Sequence, residues 1–252
     1  MPAPVARPNP PVAVTRAGAA VSHAAAVLTR LRRARLFHPA GRSFAGEVTI
    51  WGTAGPPTGV ALLDEPGRYP ATVRLSKGVS TPGSWPDVLG LAVRLHPDDG
   101  RPFDLLVSSS GAPPVLRAMP LPRRRFAGTY STIMPLHAGR QRLWLAALAD
   151  PESADLGRSL TAVAAATRTD EPRLVLAVAS AVGPWRPFGQ VSIGTQLSAR
   201  QDATLAFDPI GNLPAGLRAA GPLAWLRGQT YRGSRRARGA DVQSGGSLGA
   251  TV

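Results

Sequence analysis

Short runs rich in Val, Ile and Leu, at 45–52, 71–76, 89–95 and 103–107, are set apart by turn-forming clusters such as Gly55-Pro56-Pro57 and Asp98-Asp99-Gly100. Apolar runs of this length, bounded by Pro and Gly, read as strands of an antiparallel sheet with long connections. Residues 173–182 and 190–198 read as a second pair of strands, and 204–207 as a short one. Between these segments the texture is helical. Ala17, Val21, Ala24, Leu28 and Leu31 recur on one face of a helix predicted over 15–35. Mixed alanine, leucine and arginine predict further helices over 136–150 and 155–167, and another is predicted over 222–232. A sheet interrupted by helices is α+β, or a β-barrel with inserted helices. No repeat or mid-chain linker divides the pattern, so a single domain is expected over 13–238. A proline-rich disordered segment at 1–12 precedes it and a Gly/Ser-rich flexible tail at 239–252 follows.

Composition narrows the chemistry. The chain has 252 residues and no cysteine. That excludes disulfides, thiolate metal sites, iron–sulfur clusters and a cysteine nucleophile. The histidines are His23, His38, His96 and His137. None are spaced as zinc or di-iron ligands. The formal net charge is +14, carried almost wholly by arginine, with Lys77 the sole lysine. Such a charge suits nucleic acid, acidic lipid or an anionic small molecule. Arginines at 30–35 and 123–125 are where a basic protein of the first two kinds would make contact. No RNA-recognition signature, zinc finger or aromatic-interleaved basic stripe accompanies them, so neither a nucleic-acid nor a membrane partner is expected. The alanine-rich stretch at 12–36 is interrupted by Arg16, Arg30, Arg32 and Arg33 and does not read as a membrane span. The first residues lack the apolar core of a secretory signal. A soluble, cytoplasmic protein is the expectation.

Several residues stand out for their chemistry. In 69–76, alternation puts Val73 and Leu75 on one face of a strand and Arg74 and Ser76 together on the other. An arginine and a hydroxyl sharing an inner face require a polar or anionic partner; on an outer face they require none. His38 lies at the entrance to a strand, three residues after Arg35, where it could act as an acid/base or lie in a surface loop. Asp87 and Asp104 sit at strand edges, and turn chemistry suffices to explain both. Arg227 and Tyr231 are four apart. On a helix they share a face, and a guanidinium beside a phenol favours the phenolate. Tyrosinate is one of the few protein groups that hold haem iron.

The order of these segments resembles the haem catalase family, in particular its small catalase-like members. Catalases carry Arg-x-x-His-Ala-x-Gly feeding a Phe-Glu-Val-Thr strand, similar to 35–49 here. Val-Arg-Phe-Ser follows, similar to 73–76. Next come Asp-x-x-Gly-Phe-Ala-Val-Lys-Phe, similar to 87–95, and a Gly-x-x-Asp-Leu-Val element, similar to 104–106. An Ala-Phe-x-Pro segment, a Pro–Gly turn, Arg-x-x-x-Tyr and a basic tail correspond to 206–239. The resemblance covers roughly 33–118 and 203–239.

The resemblance implies a catalase-like antiparallel β-barrel with inserted and flanking helices, binding haem b. Tyr231 would be the axial ligand of the iron and Arg227 would stabilise its phenolate. His38 would be the distal acid/base and Ser76 would orient it. Arg35 and Arg74 would hold the haem propionates. The family places an asparagine pair after its Asp-Leu-Val-Gly element. Here the stretch is Val107-Ser108-Ser109-Ser110, and Ser109 is taken as the replacement. The phenylalanine that stacks near the haem is replaced by Pro114-Val115-Leu116. A peroxidase acting on hydrogen peroxide or organic peroxides, with an unidentified electron donor, is expected rather than a fast catalase. The alternative is a catalase-fold protein with weak or no haem binding and no peroxide activity. The interlocking arms and the C-terminal domain of large catalases have no counterpart, so a dimer or monomer without bound nicotinamide is expected.

Overall fold

The computed structural model describes residues 40–219. The helices expected at 15–35 and 222–232 and the segments 1–12 and 239–252 lie outside the described residues. Inside, the apolar runs become long antiparallel strands: β1 (Ala40–Ile50), β2 (Gly67–Lys77), β3 (Leu89–Leu95) and β4 (Phe103–Ser109). They are followed by β5 (Tyr130–Ser131), β6 (Leu136–Ala138), β7 (Gln141–Ala149), β8 (Arg173–Ala179), β9 (Arg186–Gln196) and β10 (Leu217–Ala219). The sheet order is β10-β6-β7-β5-β4-β3-β2-β1-β9-β8. A further pairing of β7 with β8, from Trp144↔Ala179 to Ala149↔Leu174, closes eight of these strands into a barrel. β6 and β10 extend the sheet beyond β7.

Closure follows from the pattern of side chains. Each barrel strand sends a large apolar residue inward: Val48, Val73, Val93, Leu105, Tyr130, Leu145, Leu176 and Val191 are all buried. A barrel of this strand number has an interior just wide enough for side chains to fill. Each such side chain contributes about 1.5–3 kcal/mol on burial. Burial pushes the Tyr130 phenol well above its ordinary pKa. The hydroxyl stays protonated and donates to the Phe126 carbonyl at 2.7 Å.

The helix expected over 136–150 is instead strands β6 and β7. Leu143, Leu145 and Ala147 face the core, while Trp144, Ala146 and Leu148 face outward. Because both faces are apolar, the alternation that marks a strand is hidden, and the alanine–leucine composition reads as helix. The hairpin between β6 and β7 turns on Gly139-Arg140, with Gly139 at φ +55. That left-handed turn is the signal favouring strands. The short strand expected at 204–207 is also absent. Its place is taken by the end of a helix and extended chain.

The described helices are few. α1 (Ala61–Asp64) is a single turn, α2 (Leu160–Thr169) buries Val163, and α3 (Ala199–Thr204) follows β9. Ser159 caps α2 by accepting from the Ala162 N–H at 3.1 Å. Ser198 and Gln201 form a reciprocal capping box on α3, satisfying donors that would otherwise lack partners at the helix start. Among the described residues, no helix is long and apolar enough to cross a membrane.

Candidate functional site

Strand register places the candidate residues. Across the outward face of the barrel, the pairings Gly41↔Ser76, Ser76↔Gly90, Gly90↔Ser108 and Ser108↔Ser131 form one continuous row. The next row holds Ser43↔Arg74, Arg74↔Ala92 and Ala92↔Leu106. Arg74 and Ser76 therefore share a face, as alternation predicts, because Val73 and Leu75 between and beside them are fully buried in the barrel. The Ser76 hydroxyl donates to the Gly90 carbonyl at 3.3 Å.

Arg74 folds back over the first strand. Its guanidinium lies where a Cβ on Gly41 would be, about 2.5 Å away. A side chain there would displace the guanidinium. The Arg74 Nε donates to Asp202 Oδ1 of α3 at 3.3 Å, and the Ser43 hydroxyl donates to the same carboxylate oxygen. The capping box orients α3 so that Asp202 reaches both groups. Thus one anionic partner for Arg74 comes from the chain itself. Beside this pair lies a cleft of about 360 Å³ lined by Gly41, Arg42, Ser43, Gln196, Leu197, Ala199 and Asp202.

Ser109 is placed differently from the expectation. It follows Val107 on the inner face of β4 and is buried. Its hydroxyl donates to the Leu121 carbonyl at 2.7 Å and accepts from the Leu89 N–H at 2.9 Å. These bonds fasten β3 and the returning 120–121 segment to the end of β4. Strand parity puts neighbouring residues on opposite faces, so Ser108, not Ser109, joins the row of Ser76 and Gly90. Counting alternation forward from Leu105 would have found it in the sequence.

Two further groups brace the site. Asp104, buried on the outward face, accepts from Arg94 Nε and Nη2 at 2.6 Å each. It also accepts from the Asp208 N–H at 2.6 Å and Asn212 Nδ2 at 2.9 Å. The paired carboxylate holds the Arg94 guanidinium above its ordinary pKa, against the opposing effect of burial. Arg94 also lies 5.1 Å from the Phe207 ring centroid. The chain leaving α3 is thus pinned onto β3 and β4. Asp87 accepts from the Val79 and Thr81 N–H groups at 3.0 and 2.9 Å and from the Thr81 hydroxyl at 3.1 Å. Burial alone would raise its pKa; these bonds outweigh it and lower the value. Turn chemistry explains Asp87, whereas Asp104 does more than cap a strand end.

His38, Arg35, Arg227 and Tyr231 lie outside the described residues. Among the described residues, no cluster of His, Asp and Glu could hold a metal ion.

No family model and no curated protein sequence matches the chain. Solved structures do. A bacterial catalase superposes with a TM-score of 0.52 at 15% identity, covering 85% of this chain and 60% of that one. A fungal catalase gives 0.51 at 12% identity, covering 79% and 58%. The fold is catalase-like. The chain spans about three fifths of the length of these catalases. At such identity the likeness carries the barrel and its strand order. In this catalase-like barrel, the segments picked out by sequence become neighbours: 73–76, 87–95 and 104–109 are consecutive strands.

The described row is built of small and polar residues. Glycines stand at 41 and 90, hydroxyls at Ser76 and Ser108, and the Asp202-paired Arg74 guanidinium lies over Gly41 at its edge. None of these groups is an iron ligand.

Proposed function

We propose that this catalase-like protein binds haem b and reduces hydrogen peroxide or organic peroxides, as a peroxidase rather than a fast catalase. The reading rests on one juxtaposition: Ser76, Gly90 and Ser108 in a single outward row beside Arg74. The ordered motifs at 35–49 and 206–239 would supply the remaining groups. Tyr231 is proposed as the axial ligand, with Arg227 holding its phenolate charge. Arg35 and Arg74 are proposed for the propionates. Haem b, when bound, would supply the iron and the two electrons that break the peroxide O–O bond, and an external electron donor, not yet identified, would return them.

The chain's own part is to hold the peroxide and move its proton. His38 is proposed to take the proton from one peroxide oxygen and return it to the other, a task that needs a base within hydrogen-bond reach. Ser76 would orient the imidazole. Ser108 would donate to the peroxide, replacing an amide by a single hydroxyl. A hydroxyl offers one donor where an amide offers two, so hydrogen peroxide is held less firmly and turnover should be slow. Ser109 takes no part, because its hydroxyl is committed to Leu121 and Leu89.

Peroxide consumption by the haem-loaded protein, with an organic hydroperoxide and hydrogen peroxide compared, tests this. His38→Ala should lower turnover by about two or more orders of magnitude while haem stays bound. Unchanged turnover would remove the role given to His38.

The Arg74–Asp202 pair favours a second reading, a catalase fold with weak or no haem binding. There the arginine's charge is met by Asp202 and no propionate is needed. Asp202→Asn separates the two. It should tighten haem binding if propionate and carboxylate compete for Arg74, and leave haem binding as weak or absent as in the wild type under the second reading.

A further inference from the structure

Two loops on the outside of the barrel are tied together in an unusual way. Residues 110–120 form a flap whose base is a bridge between Ser110 and Pro120. Within it the Gly111 N–H donates to the Leu116 carbonyl at 3.1 Å, and the Arg117 N–H to the Pro113 carbonyl at 3.0 Å. The second loop, 180–185, joins β8 to β9. Arg117 is 1% exposed, and its Nη1 and Nη2 donate to the Ser180 and Gly183 carbonyls at 2.7 and 2.9 Å. Its guanidinium stacks 4.5 Å from the Trp185 ring centroid, and Trp185 Nε1 donates to the Ala112 carbonyl at 3.0 Å. Burial lowers the Arg117 pKa from its ordinary value. The two loops are therefore a cross-linked unit.

What this unit displays is apolar. Val115 is 78% exposed and Val182 85% exposed, with Leu116 and Met119 partly exposed beside them. The Arg117 and Trp185 bonds group these exposed aliphatic side chains on one unit rather than leaving them scattered singly, as at an interaction surface. Side chains this exposed can be buried in a soft surface without rearranging the barrel. The charge beside them is positive. Arg123 Nη2 donates to the Ser110 carbonyl at the flap base, at 2.8 Å. Arg123 and Arg124 are exposed, while Arg125 is paired with Asp155. Between Asp104 and Asp150 the chain contains arginines but no carboxylate. Apolar tips rimmed by arginine match the interface of an anionic bilayer, where apolar burial and attraction to acidic headgroups add.

We infer that the 110–120 flap and the 180–185 loop, through Val115, Val182, Leu116 and Met119 with Arg123 and Arg124 at the rim, dock the protein peripherally on an anionic lipid surface. This goes beyond the peroxidase reading and stands independently of it. Tips of this size give shallow, reversible attachment.

Co-sedimentation of the full chain with vesicles of phosphatidylglycerol and phosphatidylcholine tests the inference, with pure phosphatidylcholine vesicles in parallel. Binding should be strong to the mixed vesicles and weak to the neutral ones. The double variant Val115→Ser, Val182→Ser should lose roughly tenfold or more in vesicle affinity, a lower bound because two valines at a shallow interface are buried only in part. Arg124→Ala should weaken binding several-fold, and less so as salt rises. All these positions are on the surface, and an unchanged melting temperature confirms that the variants fold. Three outcomes overturn the inference. One is binding to anionic vesicles that the double serine variant leaves intact, which is attraction by charge elsewhere on the chain. Another is equal affinity for both vesicle types. The last is no vesicle binding together with self-association that the double variant abolishes, which makes the face a contact between copies.

Discussion

Ser108 and Ser109 are adjacent in the chain and face opposite sides of β4, and their replacement should have opposite consequences. Ser109→Ala removes the acceptor of the buried Leu89 N–H and the donor to Leu121. It should destabilise the fold by about 1–3 kcal/mol, seen in denaturant melts, and leave peroxide turnover per folded molecule unchanged. Ser108→Ala should do the reverse, lowering turnover with little change in stability. Asp64 and Asp87 make a prediction about pH. Asp64 accepts from the Thr53 and Thr58 hydroxyls and from the Thr58 and Gly59 N–H groups. As for Asp87, burial opposes ionisation, but the hydrogen bonds win and the pKa falls below its ordinary 3.8. A carboxylate with a lowered folded pKa stabilises fully above the unfolded value. That stabilisation is lost as pH falls through the folded one. The melting temperature should therefore drop steeply below about pH 4, and Asp87→Asn should flatten that drop. The face-sharing of Arg74 and Ser76 was legible from alternation alone. That Arg74 would meet Asp202 was not, because 128 residues separate them and only the folded barrel brings α3 to β2.

At the scale of elements, the strands 45–52 to 103–107 could be read because each is bounded by turn residues and carries β-branched side chains. β7 could not. Its outward residues Trp144, Ala146 and Leu148 are as apolar as its inward ones, so the period of two vanishes. Gly139 carried the missing signal. Gly139→Val should cost about 1–2 kcal/mol through the left-handed conformation alone, more than the same change at Gly128, where φ is not positive and an added Cβ meets nothing. Asp104 ties two elements together. Its loss takes the main partner from the Arg94 guanidinium, leaving the Ala206 carbonyl and the more distant Asp208 charge, and releases the Asp208 N–H and the Asn212 side chain. Asp104→Ala should destabilise by about 3–5 kcal/mol. It should also raise amide hydrogen exchange across 206–212, the segment that leads toward Arg227 and Tyr231.

For the whole molecule, closure of β7 on β8 is the step on which the core depends. Leu145 sits in the middle of that seam, fully buried. Leu145→Ala should cost about 2–5 kcal/mol and lower the midpoint of a single cooperative transition. In the proposed function the barrel row of Ser76, Gly90 and Ser108 would form one wall of the haem site and Tyr231 the opposite one. The absorption spectrum of the full chain with equimolar haem b, wild type beside Tyr231→Phe, tests that arrangement most directly. The account predicts a Soret band for the wild type with the features of tyrosinate-ligated ferric haem, shifted or lost in the variant. A wild type with no Soret band, or a variant spectrum identical to it, would contradict the account.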